Sequence, residues 1–188
     1  SDVYKRQPMM QKYNPKWGMG DIIIKDRTGE GVINDEDRTV IGNSIPRFTF
    51  GLNLGFEYKG FDFSCFFQGV GKADGYVTME AIQPMGINGA RKEHYKESFN
   101  PQDPKPGAYF PRILSSDYNY AYMSHWVQDA SYIRLKNLQI GYSFKIKGLN
   151  QLRVYASGEN LFTATKYRTW DPETPVGARG FYPNVAVY

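Results

Sequence analysis

The sequence has one cysteine, Cys65, and two histidines, His94 and His125. A lone cysteine excludes an intrachain disulfide and leaves the redox compartment unread. Neither histidine belongs to a recognisable serine or cysteine nucleophile motif, and there is no CxxC pair, HExxH motif or glycine-rich phosphate loop. The chain therefore offers no catalytic residue and reads as a non-enzyme. No unbroken apolar run approaches the roughly 18 residues that a membrane-spanning helix needs, and the mean hydropathy is -0.55. That excludes a transmembrane helix but not a transmembrane barrel, in which only alternate residues meet lipid. Dense runs of one charge are also missing. The 23 basic residues are interspersed with 19 acidic ones, so the net charge of +4 argues against a nucleic-acid partner. The opening SDVYKRQPMM lacks the charged start and apolar stretch of an exported precursor. Residues 1–13 are left unassigned.

What the chain has in quantity is aromatics and turn formers: 15 Tyr, 12 Phe, 19 Gly and 11 Pro in 188 residues. That mixture favours strands and turns over packed helices, so the expected class is all-β with a single core. Phe48, Phe50, Leu52, Leu54, Phe56 and Tyr58 alternate with Thr49, Gly51, Asn53, Gly55 and Glu57, which predicts a strand over 48–58. Lys59-Gly60 supplies a tight reversal into a second strand over 61–70. Alternation returns over 132–144, reverses near 147–150 and continues over 151–162, and a stub begins at about 184.

The connections between these strands alternate in length. Short turns at 59–60 and 147–150 contrast with irregular stretches over 70–129 and 163–183, the first including a short helix expected near 91–99. A transmembrane barrel has this rhythm, with short periplasmic turns and long extracellular loops. Aromatics beside the short turns, Tyr58 with Phe61 and Tyr142 with Phe144, suit an interfacial girdle. A water-soluble β-sandwich would use the same alternation to fill its own core. The opposite face weighs against it, because Gly51, Asn53, Gly55, Ser64, Gln68, Asn137, Gln139, Gly141 and Ser143 are small or uncharged, whereas exposed sandwich strands carry more charge.

Residues 26–37 follow the spacing of an EF-hand-type calcium loop. Asp26, Thr28, Glu30, the Val32 carbonyl and Asp37 would be ligands, with Gly31 at the sharp turn and Asn34 acting through water. Thr28 and Glu30 replace the preferred Asp or Asn, and Asp37 is shorter than the usual bidentate Glu. Calcium is the one cofactor this suggests. The irregular stretches are rich in aromatics, including Tyr109, Phe110, Tyr118, Tyr120, Phe181 and Tyr182; Tyr122, Trp126, Tyr167 and Trp170 are the candidate substrate contacts. Flat rings stack on sugar faces or hold peptides, but they also pack long loops.

Several segments together resemble the C-terminal region of the SusC/RagA family of TonB-dependent outer-membrane transporters. They are GDIIIKDRTGEGVINDEDRTVIG at 20–42, IPRFTFGLNLGFEYKGFDFSCFFQGVG at 45–71, DASYIRLKNLQIGYSF at 129–144, VYASGENLFTATKYRTWDPE at 154–173 and the final GFYPNVAVY. The resemblance implies a plugged outer-membrane barrel of about 22 strands, driven through TonB and partnered by a surface substrate-binding lipoprotein of SusD type. It implies import of oligosaccharides or other nutrients such as peptides. On that reading residues 14–188 form the C-terminal part of the barrel in contact with outer-membrane lipid, with the last strand truncated and the plug and TonB-contacting part upstream. The other reading kept open is a secreted carbohydrate-binding β-sandwich with structural calcium.

Overall fold

The computed structural model describes residues 11–77, 79–84, 89–104, 107–114 and 117–174. The expected stub from 184, the loop rings Phe181 and Tyr182, and residues 1–10 of the unassigned segment lie outside the described residues. Contacts divide the chain into two compact units, one built from 11–42 and 77–127, the other from 43–76 and 128–174.

The second unit holds a four-stranded antiparallel sheet in the order β1-β2-β5-β6. Its strands are β1 (Phe48–Tyr58), β2 (Phe61–Gly71), β5 (Tyr132–Phe144) and β6 (Leu152–Thr165). Two further strands, β3 (Asp74–Tyr76) and β4 (Val127–Asp129), form a separate two-stranded ribbon. The first hairpin closes on Lys59 (φ 48) and Gly60 (φ 87). Two consecutive left-handed residues match the right-handed twist of the flanking strands. Each of the four strands expected within the described residues is present, and β6 runs three residues beyond the expected end.

Register aligns the apolar residues of all four strands on one face. Phe56 lies opposite Phe63, Phe63 opposite Ile140, and Ile140 opposite Ala156. Leu54, Cys65, Leu138 and Gly158 form the adjacent row. On this face the Phe48 and Phe50 rings lie across Gly71 and Gly69, where a Cβ would collide with them. Glycine there lets a bulky ring cover the neighbouring strand. The polar face carries Asn53, Ser64, Gln139, Ser157 and the charged residues. One irregularity breaks the register at Lys136, which is skipped in the pairing with β2 and β6 alike. Asn160 on the facing strand has φ 52, a left-handed bulge residue of the kind Asn tolerates.

The apolar face is not a core. Phe50 is 42% exposed, Leu54 48% and Ile140 42%. The sandwich alternative needs those side chains buried against a second sheet. The only other sheet among the described residues is the ribbon of three-residue strands, so the sandwich reading is corrected here. No described helix is long and apolar enough to cross a membrane.

The first unit includes the short helices α1 (Met79–Ile82) and α2 (Lys92–Glu97), the latter where a helix was expected near 91–99. Its core is Trp17, Val77, Ala81, Ile82, His94, Asn119, Tyr120 and Trp126, all buried.

Candidate functional site

The strands place charge on the polar face in two positions. Near the short-turn end, Arg153 of β6 holds Asp62 of β2 through two bonds, Nε to Oδ2 at 3.0 Å and Nη2 to Oδ1 at 2.5 Å. Near the other end, Arg134 of β5 is 8% exposed at its side chain. It donates from Nη2 to Asp171 at 2.6 Å, from Nη1 to Glu173 at 2.7 Å and from Nε to Thr163 at 2.8 Å. Lys136 and the Tyr132 hydroxyl complete the shell of Glu173 at 2.7 and 3.1 Å. All three guanidinium nitrogens are engaged, and the segment after β6 is thereby tied onto the polar face. Gln128 reinforces the tie, donating to Thr169 Oγ1 at 3.1 Å and accepting from Arg168 N at 3.0 Å.

In the first unit Asp21 is the electrostatic centre, its side chain 1% exposed. Arg112 donates Nε and Nη2 to its two oxygens at 2.7 and 2.6 Å, Asn119 donates to Oδ1 at 2.9 Å and Gly18 N to Oδ2 at 2.9 Å. Burial alone would raise the carboxyl pKa, but these bonds and the Arg112 charge outweigh it and hold the group below its ordinary range. Asn119 also accepts from Ile22 N at 3.0 Å, and Tyr118 donates to the Ile22 carbonyl at 2.8 Å. Burial pushes the Tyr118 hydroxyl far up.

The acidic loop lies in the same unit. Gly29 (φ 81) and Gly31 (φ 82) supply its left-handed turns. Asp26 accepts from Gly29 N at 2.6 Å and Gly31 N at 2.8 Å, while Asp37 accepts from Arg27 N at 2.6 Å and Asn34 N at 3.0 Å. These backbone bonds lower both carboxyl pKa values. Thr28 Oγ1 donates toward both acids, at 3.2 Å to Asp26 and 3.4 Å to Asp37. Of the five expected calcium ligands the structure thus brings three together. Glu30 is exposed, and Val32 is 59% exposed. No group of three or more His, Cys, Asp or Glu that could hold a metal occurs among the described residues. Calcium takes roughly six to eight oxygens, and here the two carboxylates accept from backbone N–H donors of the loop itself.

A groove of about 1440 Å³ opens beside this loop, lined in part by Ile23, Ile33, Ile41, Phe110, Arg27 and Tyr122. The four expected substrate rings differ in access. Tyr122 is 88% exposed and borders the groove, whereas Trp126 is fully buried and Tyr167 and Trp170 are 5% exposed. Trp126 packs against Phe110 at 5.9 Å and His125 at 4.6 Å between ring centroids and donates Nε1 to the Asn119 carbonyl at 2.9 Å. Sequence reasoning passed over Asp21, Arg112, Arg134, Asp171 and Glu173. For Arg134 the available signal was a charge on the strand face that Asn137, Gln139 and Ser143 otherwise keep uncharged.

No protein-family model matches the chain. Over 193 aligned residues it is 34% identical to TonB-dependent receptor P3 of Formosa agariphila, an alignment covering 90% of this chain and 18% of that receptor. The chain is a homologue of part of the TonB-dependent receptors. It is also 28% identical to the TonB-dependent receptor SusC of Bacteroides thetaiotaomicron, over 81% of this chain and 15% of SusC. Among solved structures, that of the RagAB peptide transporter superposes with a TM-score of 0.58 at 23% identity, covering 78% of this chain and 17% of that one. The chain spans less than a fifth of the length of these relatives. Its sheet thus has the fold of a TonB-dependent transporter barrel wall, with β1 and β6 as its outer strands among the described residues.

Proposed function

We propose that this chain supplies wall strands and surface loops of a TonB-dependent transporter in the bacterial outer membrane that imports oligosaccharides or other nutrients such as peptides. The observation that carries the reading is the four-strand apolar face, register-matched yet exposed, backed by a polar face on which Arg153 neutralises Asp62 and Arg134 and Lys136 neutralise Asp171 and Glu173. Lipid covers such a face in a barrel, and a lumen accepts the polar one. The short turns at 59–60 and 145–151 then face the periplasm, and the long connections between strands face outward. Capture of substrate falls to the outward loops, with Tyr122 and the groove beside it as the contact and Trp126, packed on Phe110 and His125, as its support. A SusD-type lipoprotein would close over those loops, and TonB would act on a plug elsewhere in the protein.

The test uses single cysteines in the full-length transporter with Cys65→Ser as background. Phe50→Cys is expected to resist a water-soluble maleimide in intact membranes, while Asn53→Cys reacts. Equal labelling of both would refute the wall assignment. Growth of a deletion strain on single glycans or on peptides as sole nutrient identifies the substrate class. Calcium at Asp26, Thr28, Glu30, Val32 and Asp37 is a separate proposal that requires the loop to exchange its backbone donors for the ion. It is withdrawn if the Asp26→Ala protein binds calcium as well as the wild type.

A further inference from the structure

The short-turn end of the sheet carries a basic cluster directly beyond its aromatic rim. Lys59 lies in the β1–β2 turn, and Lys145 and Lys147 lie in the β5–β6 turn, all three exposed. The turns are neighbours, because Ser143 N donates to the Gly60 carbonyl at 2.7 Å. Tyr58, Phe61 and Tyr142 stand in one row across three strands. The Tyr142 and Phe144 rings are 4.8 Å apart, and Lys59 Nζ lies 5.1 Å from the Tyr58 ring centroid. Ile146 and Leu149, 43% and 57% exposed, extend the apolar surface into the second turn.

The acids at this end do not offset the lysines. Asp62 is held by Arg153 on the polar face, and Glu57 pairs opposite Asp62 on that same face. None of the three lysines makes an ion pair among the described residues. Three ammonium groups therefore sit at the edge of a lipid-type surface, just past the tyrosines and phenylalanines that mark a membrane interface. Lysine in that position extends its apolar stem along the rim and places its charge at headgroup depth.

We propose that Lys59, Lys145 and Lys147 form a binding surface for the phosphates of anionic glycerophospholipids in the leaflet that meets the short turns. The inference rests on the barrel reading above and adds to it a lipid class and the residues that select it. Each lysine near an anionic surface is worth about fivefold in affinity.

The test places the full-length transporter in nanodiscs of phosphatidylcholine with a minor fraction of phosphatidylglycerol and counts retained lipid by native mass spectrometry. The wild type is expected to enrich phosphatidylglycerol. Each single substitution, Lys59→Gln, Lys145→Gln or Lys147→Gln, is expected to lower that enrichment about fivefold, and the triple variant to abolish it. Changing all three to Arg should preserve it, and so should Lys92→Gln with Lys96→Gln on α2. A wild-type protein that inserts with heat-modifiable migration but shows no enrichment overturns the proposal alone, as does a triple Gln variant that retains the lipid fully. A protein that never enters the discs overturns it together with the barrel reading.

Discussion

Arg134 and Glu173 lie 39 residues apart in sequence, yet their Nη1 and Oε2 atoms are 2.7 Å apart. That pair and its companion to Asp171 fasten the segment after β6 to the polar side of the sheet. Asp171 and Glu173 retain 20% and 25% side-chain exposure, so water compensates part of any loss. Arg134→Met leaves Glu173 to Lys136 and takes the guanidinium from Asp171, and is expected to destabilise the folded protein by on the order of 3 kcal/mol. Arg134→Lys, which keeps a charge but one fewer bidentate option, should lose less. Thermal unfolding in detergent measures the order, and trypsin cleavage after Lys166 or Arg168 reports release of the segment. Equal resistance in all three proteins would show that the clamp holds nothing.

The two faces of β1 predict opposite responses to charge. Leu54 lies mid-strand opposite Cys65 on the apolar face. Leu54→Arg is expected to weaken folding into lipid vesicles by about 2–4 kcal/mol. Asn53→Arg places the same side chain on the polar face and should cost clearly less. Titration with guanidinium in the presence of vesicles gives both values, and similar losses would contradict the assignment of faces.

The sheet was legible in the sequence because a period of two is imposed by the backbone and needs no tertiary information. Both hairpins followed from their turns, and Phe48–Tyr58 matches its expected range to the residue. The bulge at Lys136 shows in the sequence only as a change of phase, from Ile133 and Leu135 to Leu138 and Ile140. The loop unit was hidden. Asp21 meets Arg112 across 91 residues, and nothing local marks either as the other's partner. Composition likewise could not separate Tyr122 from Trp126. Both are loop aromatics four residues apart, one almost wholly exposed and the other fully buried.

Acid should loosen the loop unit through Asp21. Its carboxyl pKa is held below the ordinary 3.8, so between those two values the unfolded chain binds more protons than the folded one. Stability from this group is complete above the ordinary value and declines as pH falls through the folded one. Asp21→Asn removes the dependence while keeping the shape. The gap in unfolding midpoint between the two proteins should be constant near neutral pH and narrow below about pH 4. A gap that widened on acidification would contradict the Arg112 pairing.

Tyr122 and Trp126 separate recognition from support. Trp126 is fully buried, stacks with Tyr120 at 6.3 Å between ring centroids, and spends its only side-chain donor on the Asn119 carbonyl at 2.9 Å. Removing that ring leaves a large cavity, so Trp126→Ala is expected to cost about 3–5 kcal/mol and to lower substrate uptake by lowering the amount of folded transporter. Tyr122 is 88% exposed, and Tyr122→Ala should cost far less stability than Trp126→Ala. If its ring forms part of the capture surface, uptake per folded transporter falls on its loss and Tyr122→Phe restores most of it. The comparison is made by normalising uptake to the heat-modifiable fraction. Unchanged normalised uptake in Tyr122→Ala would remove this ring from the capture surface and leave the groove without its most accessible aromatic.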